Sequence, residues 1–218
     1  MVAAVSVGPD GPAPDCPLCP RLVAFRASNR VAFPDWHNDP VPPFGGIDAR
    51  LLIVGLAPGL RGANRTGRPF TGDFAGDLLY GTLLRFGLAR GRYEARADDG
   101  LTLVGCRITN AVRCVPPENK PTAAEIATCR RFLAAELTAL RGLKAILALG
   151  AVAHASVVAA LGLRQAQWRF RHGALHELPG GLVLADSYHC SRYNTSTGRL
   201  TPAMFEAVFK ALAPRLRP

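Results

Sequence analysis

Four of the six cysteines fall into two pairs, and this arrangement limits what the chain can fold into more than any other feature. Cys16-Pro-Leu-Cys19 forms a tight C-x2-C, and Cys114 and Cys129 follow in mid-sequence with fourteen residues between them. Thiols that meet across a fold imply a metal, an iron–sulfur group or disulfides. Spacing alone leaves three readings open: a 4Fe-4S cluster, a structural zinc, or two disulfides. The opening Met1-Val2-Ala3-Ala4-Val5 has neither the positive start nor the sustained apolar stretch of a secretory signal. The expectation is therefore a reducing, cytoplasmic setting, where cysteines are more often ligands than bridges. Cys106 and Cys190 stand outside the quartet and read as small buried hydrophobes.

A chain of 218 residues can bury a full core. Residues 16–218 read as one domain, preceded by a flexible segment, 1–15, rich in Gly, Pro and Ala. No apolar run approaches the roughly 18 residues of a membrane span. Lys and Arg number 26 against 16 Asp and Glu, a net charge of +10, and only Lys120, Lys144 and Lys210 are lysines. Guanidinium groups fork onto phosphate oxygens with two donors, so an arginine-heavy excess suits a polyanion such as nucleic acid. Part of that excess reflects a general bias of this chain toward Ala, Gly, Pro and Arg.

From residue 50 onward, strand-like and helix-like patterns alternate. Leu51-Leu52-Ile53-Val54 is a short apolar run of the kind buried in parallel sheets. Further strand signals occur at 101–104 with 107–109, at 144–149 and at 182–185. Helical patterns begin after Asp73, at Thr122 with Glu125 completing a capping box, at Val152, and at Thr201-Pro202. Such alternation predicts an α/β fold with a mostly parallel sheet covered on both faces. Its site is expected at the carboxyl ends of the strands, where the loops after Val54, Thr109, Leu149 and Ala185 meet.

Three of these loops carry unusual residues. The stretch from Gly55 to Asp73 contains five glycines and three arginines, and a glycine-rich backbone lets a ligand approach main-chain N–H groups. It lacks the Gly-Lys-Ser/Thr of a Walker loop and the G-x-G-x-x-G of a dinucleotide fold. The second loop places Asn110 near Cys114, and the third runs from Asp186 through His189 to Asn194.

Taken in order, the C-x2-C, GLAPG, NRTGRPFTGD, TNAVRC, PPENKPT with its following cysteine, and YHCSRYNTSTGRL resemble the iron–sulfur uracil-DNA glycosylases, most closely their type-5 (family B) branch. The likeness runs from Cys16 to about Leu200. It implies a three-layer α/β/α sandwich around a four-stranded parallel sheet, with a 4Fe-4S cluster on Cys16, Cys19, Cys114 and Cys129. The activity it implies is hydrolysis of the N-glycosidic bond of uracil in single- or double-stranded DNA, leaving an abasic site, by a monomer.

The resemblance also distributes roles. Asp73 positions the attacking water and stabilises positive charge on the sugar, while His189 hydrogen-bonds the departing base anion. Read without the family, Asp73 is a helix N-cap. Gly55, Ala57, Pro58 and Gly59 shape the base pocket, Phe70 stacks on the extruded base, and Asn110 reads its polar edge. Ser191, Arg192, Tyr193 and Asn194 brace the minor groove, and Arg61, Arg65, Arg68, Arg192 and Arg199 meet phosphates. Two positions depart from the common pattern: Ala57 replaces an acidic or amide residue, and Cys190 stands where a proline is usual after the histidine. The small Ala57 implies room for hypoxanthine and other deaminated purines. The competing class is a non-catalytic iron–sulfur or zinc protein that binds nucleic acid, which would release no base. A relative that traps the abasic sugar covalently would need a basic insert between residues 186 and 200, and the sequence has none.

Overall fold

The computed structural model describes residues 8–216; residues 1–7, the first part of the expected flexible segment, lie outside it. Its centre is a five-stranded sheet in the order β4-β1-β5-β7-β6. Strands β1 (Leu51–Gly55), β4 (Cys106–Asn110), β5 (Ala145–Leu149) and β7 (Val183–Ser187) run parallel, and every residue in them is buried. These are the four strands expected. The fifth, β6 (Leu175–Glu177), adds an antiparallel edge, with Leu175 opposite Ala185. Only three residues long and half exposed, it leaves no apolar run to announce it. Residues 101–104 also differ from expectation: Thr102–Leu103 (β3) pairs with Ala89–Arg90 (β2) in a separate hairpin. Gly105, at φ +58°, breaks the chain before β4.

Side-chain alternation along the strands divides the core into two layers. Leu51, Ile53, Ile108 and Leu147 face α3 (Phe74–Arg85) and α7 (Pro202–Leu216), meeting Leu79, Leu83, Phe205 and Phe209. Leu52, Val54, Ile146 and Leu184 face α4 (Ala123–Ala139) and α5 (Ala151–Ala160), meeting Leu133, Leu140 and Val157. The result is helices, sheet, helices. A third cluster joins Leu22 of α1 (Pro20–Ala32), Val112, Cys129 and Phe132 to Cys16, Cys19, Cys114 and Ala57. Two short helices, α2 (Ala63–Thr66) and α6 (Arg192–Ser196), sit within the loops after β1 and β7. No helix among the described residues is long and apolar enough to cross a membrane.

Caps place the helices. Thr122 and Glu125 form the expected capping box at α4: Glu125 N–H donates to Thr122 Oγ1 at 3.2 Å and Thr122 N–H donates to Glu125 Oε2 at 2.8 Å. The same carboxylate takes two bonds from Arg21, at 2.8 and 2.7 Å, and so fastens α1 to α4. Deeper in α4, the fully buried Glu136 lies between two buried arginines, bonded to Arg107 Nε at 2.7 Å and Arg113 Nη2 at 2.6 Å. Arg107 also reaches Pro9 O at 3.2 Å and Asp10 Oδ1 at 3.4 Å, drawing part of the N-terminal segment onto the body.

Removing one member of a buried ionic group leaves its partners uncompensated. Glu136→Ala is accordingly expected to cost about 3–5 kcal/mol of unfolding free energy in chemical denaturation. A loss below about 1 kcal/mol, the level of an exposed pair, would contradict the structural role given to this triad.

A candidate active-site cleft at the carboxyl ends of the strands

Because β4, β1, β5 and β7 run parallel, their carboxyl ends share one edge of the sheet, where the loops after β1, β4 and β7 meet. There they enclose a cleft of about 300 Å³ whose walls include Ala57, Pro58, Gly59, Phe70, Asp73, Asn110, His189, Ser191 and Arg192. Asp73 and His189, 116 positions apart in sequence, thus share one pocket, as the sequence reading required. Gly55 ends β1 opposite Asn110 of β4. A methyl group there would come within 2.4 Å of Asn110 Oδ1 and 2.5 Å of Phe70 Cζ, so the floor admits only glycine.

Asp73 is both N-cap and cleft residue, so the two readings of it coexist. Its Oδ1 accepts Ala75 N–H at 3.1 Å and Gly76 N–H at 3.3 Å. Its Oδ2 faces the glycine-rich loop, where a methyl on Gly62 would stand 2.5 Å away and one on Gly59 3.2 Å away. One oxygen is thus anchored and the other left toward the cleft. Burial pushes this carboxyl above the ordinary carboxylate range, against the pull of the Gly76 and Ala75 N–H groups.

His189 comes off the end of β7. Its ring stacks on Phe70 with centroids 5.7 Å apart and planes 28° apart. Burial lowers its pKa to about 4, so the imidazole is neutral at pH 7. Among the described residues none hydrogen-bonds its ring nitrogens, whereas its backbone carbonyl accepts Asn194 Nδ2 at 2.8 Å. Ser191 caps α6, its Oγ accepting Asn194 N–H at 3.4 Å.

Phe70 has φ +54°, a conformation that bulky residues rarely adopt. Neighbouring groups hold it there. Tyr93 OH donates to Phe70 O at 3.2 Å and Tyr80 OH to Pro69 O at 2.6 Å. Arg68 Nε donates to Thr71 Oγ1 at 2.7 Å, and its other nitrogens fork onto Asp99 at 2.8 and 2.7 Å. The Arg68 guanidinium lies under the rings of Phe44, Tyr80 and Tyr93. This corrects the reading of Arg68 as a phosphate contact. Buried and fully paired, it braces the aromatic platform instead.

The other surface residues divide. Arg61, Arg65, Arg192 and Arg199 are exposed; Arg192 lies 5.5 Å from the Phe74 ring centroid and Arg199 4.7 Å from that of Tyr188. Tyr193 is 71% exposed beside the cleft loop. Asn194, expected to face a groove, turns its carboxamide inward to His189. The sequence reading missed Ala63, Phe74 and Asn119 among the lining residues. Asn119 reaches the cleft from the loop between the second pair of cysteines. The one available signal was its residue type, since Asn tolerates the φ of +57° that this turn requires.

All six cysteines are free thiols, which removes the disulfide reading. Cys16, Cys19, Cys114 and Cys129 line one cavity with Leu18, Leu22, Val112 and Phe132. Among the described residues no three of these sulfurs lie within 4.8 Å of one another. Cations and donors surround the set: Arg26 Nη1 lies 3.6 Å from Cys114 Sγ, and Arg113 N–H donates to Cys129 Sγ at 3.4 Å. Arg113 Nε and Nη1 are buried without hydrogen-bond partners. Such surroundings fit an anionic group held by four thiolates.

A model of the Uracil DNA glycosylase superfamily matches residues 42–213. Among curated proteins, the type-5 uracil-DNA glycosylase of Thermus thermophilus is 50% identical over 196 residues, covering 87% of this chain and 89% of that protein. The Mycobacterium leprae type-5 uracil-DNA glycosylase is 46% identical over 203 residues, 89% of each chain. That of Pyrobaculum aerophilum is 41% identical over 203 residues, covering 91% of this chain and 88% of that one.

The two titrating groups of the cleft, both half-buried, should be separable by carboxyl- and imidazole-selective NMR. Asp73 is expected to titrate above the ordinary carboxylate value, and His189 near pH 4 rather than 6.5. Because folding lowers the His189 pKa, its contribution to stability is whole above pH 6.5 and lost as pH falls through about 4. A His189 that titrates at 6.5 would contradict the burial assigned to it.

Proposed function

The chain belongs to the uracil DNA glycosylase superfamily, and on that premise we propose that its cleft receives a base swung out of DNA and hydrolyses the bond joining it to deoxyribose. It is a uracil-DNA glycosylase, a repair enzyme that removes uracil from DNA. One observation carries the assignment of roles: Asp73 and His189 line the same cleft, together with Phe70 and Asn110.

The extruded base stacks on Phe70, and the Asn110 carboxamide meets its polar edge with one donor and one acceptor. As the N-glycosidic bond breaks, positive charge grows on the sugar and negative charge on the base. Asp73 Oδ2 stabilises the first and orients the water that attacks C1′. A neutral His189 N–H donates to a carbonyl oxygen of the leaving base and stabilises the second. Protonation of His189 is not needed for this, which agrees with its lowered pKa. The bond between sugar and base is replaced by one between sugar and water oxygen, and the water proton passes to Asp73 or to bulk solvent. Arg61, Arg65, Arg192 and Arg199 take phosphates outside the cleft, while Tyr193 stands where the displaced base leaves a gap.

Cys16, Cys19, Cys114 and Cys129 hold a 4Fe-4S cluster in this reading. Supporting it are four free thiols lining one cavity, a buried arginine at Cys114, and unpartnered N–H groups on Arg113. When bound, such a cluster would supply a scaffold that ties these segments together. The Cys114–Cys129 loop carries Asn119 into the cleft, so fixing those cysteines also fixes a wall of the site. The enzyme acts as a cytoplasmic monomer on DNA, from one folded unit. The small Ala57 side chain leaves the pocket wide enough for hypoxanthine besides uracil.

A uracil-containing oligonucleotide followed by alkali tests the assignment. The wild-type protein is expected to yield strand breaks at uracil. Asp73→Asn should slow base release at least about 10²-fold and His189→Ala about 10²- to 10³-fold. Full activity in either variant would overturn its role. Hypoxanthine duplexes are expected to be cleaved as well, and activity confined to uracil would refute the wide-pocket reading. Binding to DNA should weaken linearly in log K against log salt, as arginine–phosphate contacts require.

A further inference from the structure

Asp186 precedes His189 by three residues and is fully buried at the end of β7. Its carboxylate gathers three separate segments. His154 Nδ1 of α5 lies 2.7 Å from Oδ1, His176 Nε2 of β6 lies 2.9 Å from Oδ2, and Arg171 N–H donates to Oδ2 at 3.2 Å. The main chain of Asp186 is clamped as well, donating to Ala174 O at 3.0 Å and accepting Gly173 N–H at 2.8 Å. Two residues on, Tyr188 N–H donates to His172 Nδ1 at 3.1 Å.

The second nitrogen of His154 lies 2.7 Å from the carbonyl oxygen of Trp168. With Asp186 as a carboxylate, which like the Trp168 carbonyl can only accept, both His154 nitrogens donate and the ring is an imidazolium. Burial works against that charge, yet Asp186 and the Trp168 carbonyl more than offset it and raise the His154 pKa above its ordinary value. Four of the chain's five histidines therefore surround the exit of β7 in different states: His154 charged, His189 neutral, His172 accepting through Nδ1, and His176 donating to Asp186.

We propose that the His154–Asp186–His176 group is a positioning device that sets the direction in which β7 delivers His189 to the cleft. The inference rests on the reading of His189 as the donor to the departing base. A buried ion pair is weak as a source of stability, because desolvation cancels most of its attraction, but it fixes geometry. Here it holds α5, β6 and the 168–174 segment to the one strand end from which the catalytic loop departs. The three donor atoms also lie within 4.8 Å of one another, close enough to suggest a divalent cation site. The separations of 2.7 and 2.9 Å are hydrogen-bond lengths, with a proton on the line that a metal would need.

Three measurements test the device. Long-range proton–nitrogen NMR of the cluster-loaded wild type should show His154 protonated on both nitrogens at neutral pH and His189 on one. In single-turnover assays Asp186→Asn should slow base release about tenfold to a hundredfold, with affinity for abasic DNA nearly unchanged. The double variant Asp186→Asn/His189→Ala should be no slower than His189→Ala alone, since residues that act through one another do not add. Should Asp186→Asn fail to fold, His176→Leu removes one donor and should show a smaller loss of the same kind. A neutral His154, additive losses, an unslowed Asp186→Asn, or stoichiometric zinc binding at these three residues would each overturn the proposal. Full activity of His189→Ala would instead overturn the reading of His189, while leaving the His154 protonation measurable.

Discussion

Exclusion of water from the floor of one cleft acts on two groups in opposite senses. For Asp73 it disfavours the anion and raises the carboxyl pKa; for His189 it disfavours the cation and lowers the imidazole pKa. The shift leaves His189 an uncharged N–H donor at neutral pH on the base side, while the Ala75 and Gly76 N–H groups pull the Asp73 carboxyl back toward its anion on the sugar side. A low-dielectric pocket then makes each contact worth more than it would be in water. The remaining architecture either shields that floor or aims the two side chains at it.

The aiming is done by rigid neighbours rather than by the loops themselves. Phe70 keeps an unfavourable backbone angle because Tyr93, Tyr80 and the Arg68–Asp99 pair bind its peptide and those beside it. The strain lies where the base must stack, a common place for strained backbone. Asp73 is held by its own capping bonds to α3, and His189 by Asn194 and by the exit of β7. On the far side, the cysteine cavity and the Arg107–Glu136–Arg113 group tie α1, α4 and the loop bearing Asn119 together. The chemistry at the cleft depends on contacts from every layer of the fold.

The sequence made the strand–helix alternation, the parallel sheet and the cap at Asp73 legible, because buried parallel strands are continuous apolar runs and caps are local. The antiparallel strand at 175–177 was not legible, since a short edge strand has no hydrophobic signature. Arg68 misled for a related reason: a single sequence does not reveal that Asp99, 31 residues away, will meet it under three aromatic rings. Asn194 looked like groove-facing surface, but its partner is a backbone carbonyl, which no side-chain pattern encodes. Asn119 carries no role in its motif that the sequence makes legible, because its place in the cleft depends on a turn built from two consecutive residues at positive φ, Glu118 and Asn119. Local chemistry was readable; pairings across the fold were not.

The account depends most directly on His189 acting as a neutral donor beside an ionised Asp73. The pH dependence of the single-turnover rate of uracil release tests this. The rate should stay level as pH rises through 6.5 and beyond, and fall only on the acid side, as Asp73 takes up its proton and His189 approaches its pKa of about 4. A rate that declines as pH rises through 6.5 would make the imidazolium the active form and contradict the account.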